Sequence, residues 1–148
     1  MPESPLRCVF VYGTLRKGEV RDINRLQPAP RWIGRASVSG VMHHLGSYPG
    51  LVLTGPGRVQ GEVYAVAPEL ERVLDEIEEV WPQQTGEYTK REVLVQLDPE
   101  PEPDRPARER ELACFLYEIA PERIHGKTII TVGDWVLHRT SAGDEQKT

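Results

Sequence analysis

The sequence predicts an α+β fold, a small mixed β-barrel with flanking helices. Two observations lead to this prediction. Several apolar runs have the alternation or the continuity of strands, and one segment has a clear helical period. The chain of 148 residues fits a single domain, which we place at residues 1–139. The polar residues 140–148 are predicted to form a disordered tail.

The apolar runs predict five strands, at residues 8–12, 35–42, 58–66, 91–97 and 112–119. The first is a continuous run of valines and aromatics that Gly13 ends, which is typical of a central strand covered on both faces. The third alternates with a period of two. Glycine and proline between the second and third runs predict a turn-rich connection at residues 45–52.

The clearest helix is predicted at residues 68–79, where Pro68 suits the first helical position and Pro82 lies beyond the end. Its apolar residues fall at i, i+3, i+4 and i+7: Leu70, Val73, Leu74 and Ile77. Residues 98–111 contain four prolines and six acids, so they cannot pack into a core. They join two predicted strands and are therefore interpreted as a solvated hairpin insertion.

The composition excludes several classes of function. The formal net charge of −5 argues against a broad nucleic-acid-binding face, which needs clustered lysine and arginine. No run approaches the roughly 20 apolar residues that cross a membrane, and the first residues lack the apolar region of a signal peptide. Cys8 and Cys114 form no metal or redox motif and are predicted to be reduced core residues. We expect a cytoplasmic monomer or weak dimer without nucleic-acid or membrane partners.

The junction of Tyr12, Gly13, Thr14 and Leu15 is the first candidate for chemistry. A strand that turns sharply at glycine frees successive backbone N–H groups, which can form an anion-binding concavity. The tetrapeptide alone is also compatible with an ordinary strand end, whose amides bond to water or to neighbouring chain.

Glu78 is the second candidate. It flanks the apolar stripe of the predicted helix, whereas Glu71, Asp75 and Glu79 are predicted to point further from it. A carboxylate at the edge of a buried face can gain basicity by desolvation, although an ordinary solvated acid is also compatible with the spacing. The pair His43-His44 has no cysteine or carboxylate at ligand spacing, so we predict no metal site.

Six motifs follow one another in a recognisable order, at residues 11–18, 48–52, 61–64, 74–79, 116–117 and 133–135. Their order and spacing resemble those of the γ-glutamylcyclotransferase-like (AIG2-like, BtrG-type) family across roughly residues 7–137. The resemblance implies a β-barrel with attached helices and a cavity between the first-strand turn and a helix-borne glutamate. It also implies an enzyme without metal or organic cofactor that cyclises a small-molecule γ-glutamyl amide to 5-oxoproline and releases an amine or amino acid.

The resemblance also implies roles for individual residues. Main-chain amides of the turn Tyr12, Gly13, Thr14 and Leu15 would hold the glutamyl carboxylate. Glu78 matches the catalytic acid of the family, and Tyr117 matches a strand tyrosine that lines the pocket.

The chain departs from the family pattern at two places. Glu79 stands where the family usually has glycine after the catalytic acid, and either Lys90 or Arg91 could supply an arginine-like charge after Tyr88. The leaving group of the substrate stays open, with an isopeptide, a γ-glutamylamine or a γ-glutamylated biosynthetic intermediate as alternatives. A different class of function is a non-catalytic module that binds a small carboxylate or a peptide end. An acid at position 78 favours catalysis, because a carboxylate binder gains nothing from a negative charge beside its ligand.

Overall fold

Seven strands and one α-helix make up the described part of the chain. The computed structural model describes residues 7–19, 21–45, 49–54, 57–78, 88–98, 110–130 and 133–136. The strands are β1 Arg7–Val11, β2 Arg31–Ser39, β3 Val41–His44, β4 Pro49–Val52, β5 Arg58–Val66, β6 Tyr88–Leu97 and β7 Arg110–Ile119. The helices are α1 Pro68–Ile77 and two short 3-10 helices, Ile23–Arg25 and Pro121–Arg123.

Five of the strands close into a barrel in the order β1-β5-β2-β6-β7. The neighbouring pairs within that order are antiparallel, and the ring closes where β1 runs parallel to β7 with Val9 opposite Phe115. The predicted mixed β-barrel is therefore confirmed. None of the helices in the described ranges is long and apolar enough to span a membrane.

The two remaining strands form a small separate sheet, and here the sequence-based prediction was wrong. The predicted strand 35–42 is divided at Gly40 into β2 and β3, and the predicted connection 45–52 contains β4. A Cβ atom at Gly40 would lie 2.7 Å from the carbonyl oxygen of Val52, so only glycine allows β3 to turn back onto β4. Proline and glycine at the start of β4 concealed its strand character in the sequence.

Several predicted boundaries shift by a few residues. Helix α1 ends at Ile77, so Glu78 is the residue that caps it. Strands β6 and β7 begin earlier than predicted and pair from Tyr88 opposite Ile119 to Leu97 opposite Arg110. Strands β6 and β7 are thus antiparallel neighbours, and residues 110–111 of the predicted insertion belong to β7. Residues 99–109 of the insertion, Glu79 and the tail 140–148 lie outside the described residues.

The core consists of two apolar clusters on opposite faces of β1. Phe10 and Tyr12 belong to one cluster, and Val9 and Val11 belong to the other. This alternation confirms that the first strand is covered on both faces. The second cluster also contains Leu70, Leu74, Ile23, Phe115 and Tyr117, so α1 and the 3-10 helix Ile23–Arg25 pack against the same side of the barrel.

The two cysteines belong to the core, as predicted. Both are free thiols; Cys114 is buried in the first cluster, and Cys8 packs against that cluster from a partly buried position. Burial raises the pKa of Cys114 to about 12, which keeps its thiol protonated at neutral pH.

Candidate active site

The turn after β1 directs its carbonyl groups toward the following loop. The carbonyl oxygen of Gly13 accepts a hydrogen bond from the Arg16 amide at 3.1 Å, and that of Thr14 accepts one from the Arg21 amide at 2.9 Å. The Leu15 carbonyl oxygen accepts one from the Ile23 amide at 2.9 Å. Among the described residues, no acceptor is found for the amides of Gly13, Thr14 or Leu15. The turn therefore has the donors that an anion-binding concavity needs.

Glycine at position 13 allows β4 to approach this turn closely. A Cβ atom there would lie 2.8 Å from Cγ and 2.9 Å from Cδ of Pro49, closer than real side chains pack. Strand β4 is thereby held directly against the turn.

The hydroxyl group of Tyr12 joins three elements. It donates a hydrogen bond to the carbonyl oxygen of Tyr117 on β7 at 2.7 Å and accepts one from the Leu51 amide on β4 at 3.3 Å. Burial raises the pKa of Tyr12 well above its ordinary value, and the negative charge of Glu78 raises it further. The first residue of the turn therefore lies within the electrostatic field of the Glu78 carboxylate.

Tyr117 connects the same region to helix α1. Its hydroxyl donates a hydrogen bond to the Asp75 carboxylate at 2.8 Å. The pKa of Tyr117 is raised mainly by burial, then by this bond and the charge of Asp75, and then by the charge of Glu78. Glu78 is half-buried at the end of α1, and its backbone N–H caps the helix by bonding to the Leu74 carbonyl at 3.0 Å.

Asp75 and Glu71 point toward the barrel, which corrects the prediction that they point away from the buried face. The Lys90 ammonium on β6 bonds to the Glu71 carboxylate and lies 3.1 Å from that of Asp75. The Tyr117 and Lys90 side chains of the barrel thus reach a flank of α1 that lies beside its apolar stripe. Between the two cations left open by the sequence, Lys90 is therefore the one that faces α1, whereas Arg91 pairs with Glu118 at 3.1 Å.

A buried group of charges holds the turn onto the barrel, and sequence reasoning assigned it no role. Arg16 donates from Nε to the Glu62 carboxylate at 3.0 Å and from Nη1 to that of Asp134 at 2.8 Å. Glu62 also accepts from the Lys17 amide at 2.9 Å and from the Tyr64 hydroxyl at 3.0 Å. The side chains of Arg16 and Glu62 are only 7% and 8% exposed.

The electrostatic balance of this group favours the charged guanidinium. Burial alone would lower the pKa of Arg16, but the hydrogen bonds and charges of Glu62 and Asp134 outweigh it, so the pKa is raised. One sequence signal could have revealed the group. Glu62 is an acid within a strand of small and apolar residues, and such an acid needs a buried partner.

The sequence of this chain matches a known protein family. The family described as Gamma-glutamyl cyclotransferase, AIG2-like matches residues 9–137. The chain belongs to this family. The expected membership is confirmed over most of the chain, including the turn, α1 and β7.

One relative of this AIG2-like protein is the Gamma-glutamylaminecyclotransferase of Bos taurus. The two are 36% identical over 136 residues, which cover 81% of this chain and 71% of the relative. A relative of this kind supports a cyclotransferase function.

Solved structures of similar proteins share the fold. An AIG2-like protein from Mus musculus has a TM-score of 0.61 at 26% identity, over 80% of this chain and 82% of that one. YkqA from Bacillus subtilis has a TM-score of 0.65 at 25% identity, over 94% of this chain, but this chain spans only 43% of YkqA.

Within this family member, the Tyr12 hydroxyl of the predicted turn bonds to Tyr117, and the Tyr117 hydroxyl bonds to Asp75 on α1, the helix that Glu78 caps. Asp75 is a neighbour that was not predicted, and Lys90, one of the two cations that the sequence left open, lies beside it. The roles of all these residues in binding and catalysis remain predictions. In the described ranges, no three His, Cys, Asp or Glu side chains are grouped so as to hold a metal ion.

Proposed function

We propose that this protein is a γ-glutamyl cyclotransferase that converts a γ-glutamyl amide into 5-oxoproline and releases an amine or amino acid. One observation carries the proposal: the Tyr12 hydroxyl at the start of the turn bonds to Tyr117 on β7, and the Tyr117 hydroxyl bonds to Asp75 on α1, the helix that Glu78 caps. A helix-borne acid and a turn with unpaired amides thus flank the same pair of buried tyrosines. The named activity of the bovine relative supports the same chemistry.

The turn would bind the glutamyl carboxylate. Its amides at Gly13, Thr14 and Leu15 are suited to an anion because they donate to no acceptor among the described residues. The hydroxyl of Tyr117 donates to Asp75, so its oxygen retains lone pairs that can accept from the substrate α-nitrogen. The α-carboxylate and the α-nitrogen are thereby held at one end of the flexible glutamyl chain. Bending the chain so that the γ-carbonyl carbon meets this fixed nitrogen is a matter of orientation, which can supply several kcal/mol of the barrier.

Glu78 would transfer the proton. The substrate α-ammonium first releases one proton to water, and the neutral amine attacks the γ-carbonyl carbon to close a five-membered ring. Glu78 takes a second proton from the attacking nitrogen and delivers it to the leaving nitrogen as the amide C–N bond breaks. The released amine then takes up a proton from water. An amide of the turn that the carboxylate does not use would stabilise the oxyanion between these steps.

The test is to incubate the protein with a panel of γ-glutamyl amides and to measure 5-oxoproline. Glu78→Gln is expected to lower turnover by about 100-fold or more, since general-base catalysis contributes on that scale. The matched control is Glu76→Gln, which changes an exposed acid on the same helix and should retain wild-type turnover.

Two outcomes would contradict the proposal. Full activity in Glu78→Gln together with loss in Glu79→Gln would show that the neighbouring acid is the base. Binding of γ-glutamyl compounds by the wild-type protein without any 5-oxoproline would indicate the non-catalytic binding module instead.

A further inference from the structure

A groove of about 360 Å³ lies between α1 and the loop that follows the turn. It is lined by Arg21, Asp22, Arg25, Leu26 and Ile77. Ligand pockets for small molecules begin at about 300 Å³, so the groove can accept a group the size of an amino acid.

The groove is connected to the proposed active site at both of its walls. On one wall, the Arg21 amide bonds to the Thr14 carbonyl oxygen at 2.9 Å, so Arg21 lies directly beside the turn. On the other wall, Ile77 is the last residue of α1 and immediately precedes Glu78. A substrate held by the turn and by Glu78 could therefore extend into this groove.

The charge of the groove differs from that of the opposite flank of α1. Residues two apart on a helix point to nearly opposite sides, so Ile77 and Asp75 lie on different flanks. The Asp75 flank carries carboxylates, which suit the α-ammonium of a glutamyl group. The groove flank is lined by Arg21 and Arg25, for whose side chains no hydrogen bond or ion pair is found among the described residues.

The acid of the groove is already used within its own loop. The carboxylate of Asp22 accepts hydrogen bonds from the Gly18 amide at 2.8 Å and from the amide and side chain of Asn24 at 2.9 and 2.8 Å. Burial would raise the pKa of Asp22, but these bonds, and after them the charge of Arg25, outweigh it and lower the pKa. The lining thus has two arginines and one acid, whose carboxylate is bonded within its own loop, so its net charge is positive. Leu26 and Ile77 add apolar surface to the same groove.

We propose that this groove binds the leaving group of the substrate and that Arg21 and Arg25 select leaving groups that carry a carboxylate. This proposal rests on the proposed cyclotransferase function. Guanidinium groups bind carboxylates by charge-assisted, often bidentate hydrogen bonds. The substrate class is therefore γ-glutamyl amino acids or peptides in preference to γ-glutamyl derivatives of simple amines.

The experiment compares two substrates that differ only in that carboxylate, γ-glutamylalanine and γ-glutamylethylamide. Wild-type kcat/KM is expected to favour γ-glutamylalanine. In the double variant Arg21→Gln/Arg25→Gln, the ratio of the two kcat/KM values should fall by about 10- to 100-fold, the scale of hydrogen bonds to charged groups. The fall should come mainly from a higher KM for γ-glutamylalanine.

The control is Arg123→Gln, which removes an exposed arginine that does not line the groove and should leave the ratio unchanged. A thermal unfolding scan of each variant establishes that it is folded. An unchanged ratio in the folded double variant, or a wild-type protein that turns over both substrates equally, overturns the groove proposal alone. Absence of 5-oxoproline from both substrates, when another γ-glutamyl amide of the panel is cyclised, also overturns the groove proposal alone. Absence of 5-oxoproline from the whole panel overturns the cyclotransferase function and the groove proposal with it.

Discussion

Tyr12 and Tyr117 have structural and electrostatic roles that their positions in apolar runs do not reveal. Each uses its hydroxyl in a hydrogen bond that crosses between elements, from the turn to β7 for Tyr12 and from β7 to α1 for Tyr117. Both lie in a field made negative by Glu78. The pair therefore fixes the positions of the turn, β4, β7 and α1 relative to the proposed base.

The raised pKa values of these tyrosines predict a characteristic loss of stability in alkali. In the unfolded chain a tyrosine ionises near pH 10, whereas the folded protein keeps Tyr12 and Tyr117 protonated to higher pH. Their contribution to stability is therefore complete below about pH 10 and is lost as the pH rises above it. The measurement is the free energy of unfolding in urea at pH 8, 9, 10 and 11.

The variant Tyr117→Phe provides the comparison, because it removes one titrating group from the series. We expect its stability to fall less steeply above pH 10, by up to about 1.4 kcal/mol per pH unit relative to wild type. Parallel curves for the two proteins would show that Tyr117 ionises alike in the folded and unfolded states.

The loop that carries the turn depends on the barrel for its shape. Its strongest link is the buried pair of Arg16 with Glu62 on β5, supported by Asp134. Inside the loop, Asp22 bonds to the Gly18 and Asn24 amides and caps the 3-10 helix Ile23–Arg25. The turn is thus held by charged side chains rather than by extended backbone pairing.

Removing the charge of Glu62 should destabilise the whole protein. Glu62→Gln would leave the buried Arg16 guanidinium with Asp134 as its one anionic partner among the described residues. Breaking a buried ion pair in this way costs about 3 kcal/mol or more, and we expect that loss in the urea unfolding free energy. Turnover should fall as well, because the turn loses its support.

An exposed ion pair of the same type is the control for this prediction. Glu92 pairs with Arg7 at 2.6 Å, but its side chain is 78% exposed. Glu92→Gln should change the unfolding free energy by less than about 1 kcal/mol. An equal loss of unfolding free energy in Glu62→Gln and Glu92→Gln would mean that burial of the Arg16–Glu62 pair does not increase its contribution to stability.

At the scale of single elements, the periodicity of the sequence predicted those strand and helix boundaries that are set by residues adjacent in the chain. The full extent of β5 and the start of α1 at Pro68 follow from local pattern. The bend at Gly40 could not be predicted, because the need for glycine there comes from the Val52 carbonyl oxygen across the small sheet. The inward direction of Asp75 was missed for a similar reason: a helical wheel does not show that Tyr117 and Lys90 of the barrel reach this flank of the helix.

At the scale of the whole molecule, the acidic insertion should be dispensable. Leu97 pairs with Arg110, so β6 and β7 already meet where the insertion leaves and rejoins the barrel. Replacing residues 99–109 with a single glycine would leave Asp98-Gly as a two-residue hairpin connection. We expect turnover of small γ-glutamyl substrates to change less than about 2-fold and the unfolding transition to stay cooperative. An aggregated or unfolded protein would show that the insertion supports the barrel.

The fold class was predictable from the sequence, whereas the contacts that join the candidate site residues were not. Gly13, Glu78 and Tyr117 were selected from motif order, which says nothing about three-dimensional distance. Their convergence depends on barrel closure and on the Tyr12 hydroxyl, which joins residues far apart in sequence. The Arg16–Glu62–Asp134 group also combines three distant segments. Contacts of this kind leave no periodic signal.

The parallel contact between β1 and β7 has a consequence for the nascent chain. The first strand leaves the ribosome before either of its neighbours, since β5 starts at Arg58 and β7 starts at Arg110. The backbone N–H and C=O groups on the two edges of β1 therefore lack their partner strands until most of the polypeptide has been synthesised. Strand pairings between segments so far apart in sequence form slowly. Interruption of translation before Phe115 would yield a product that has the glycine turn but no closed ring to hold it.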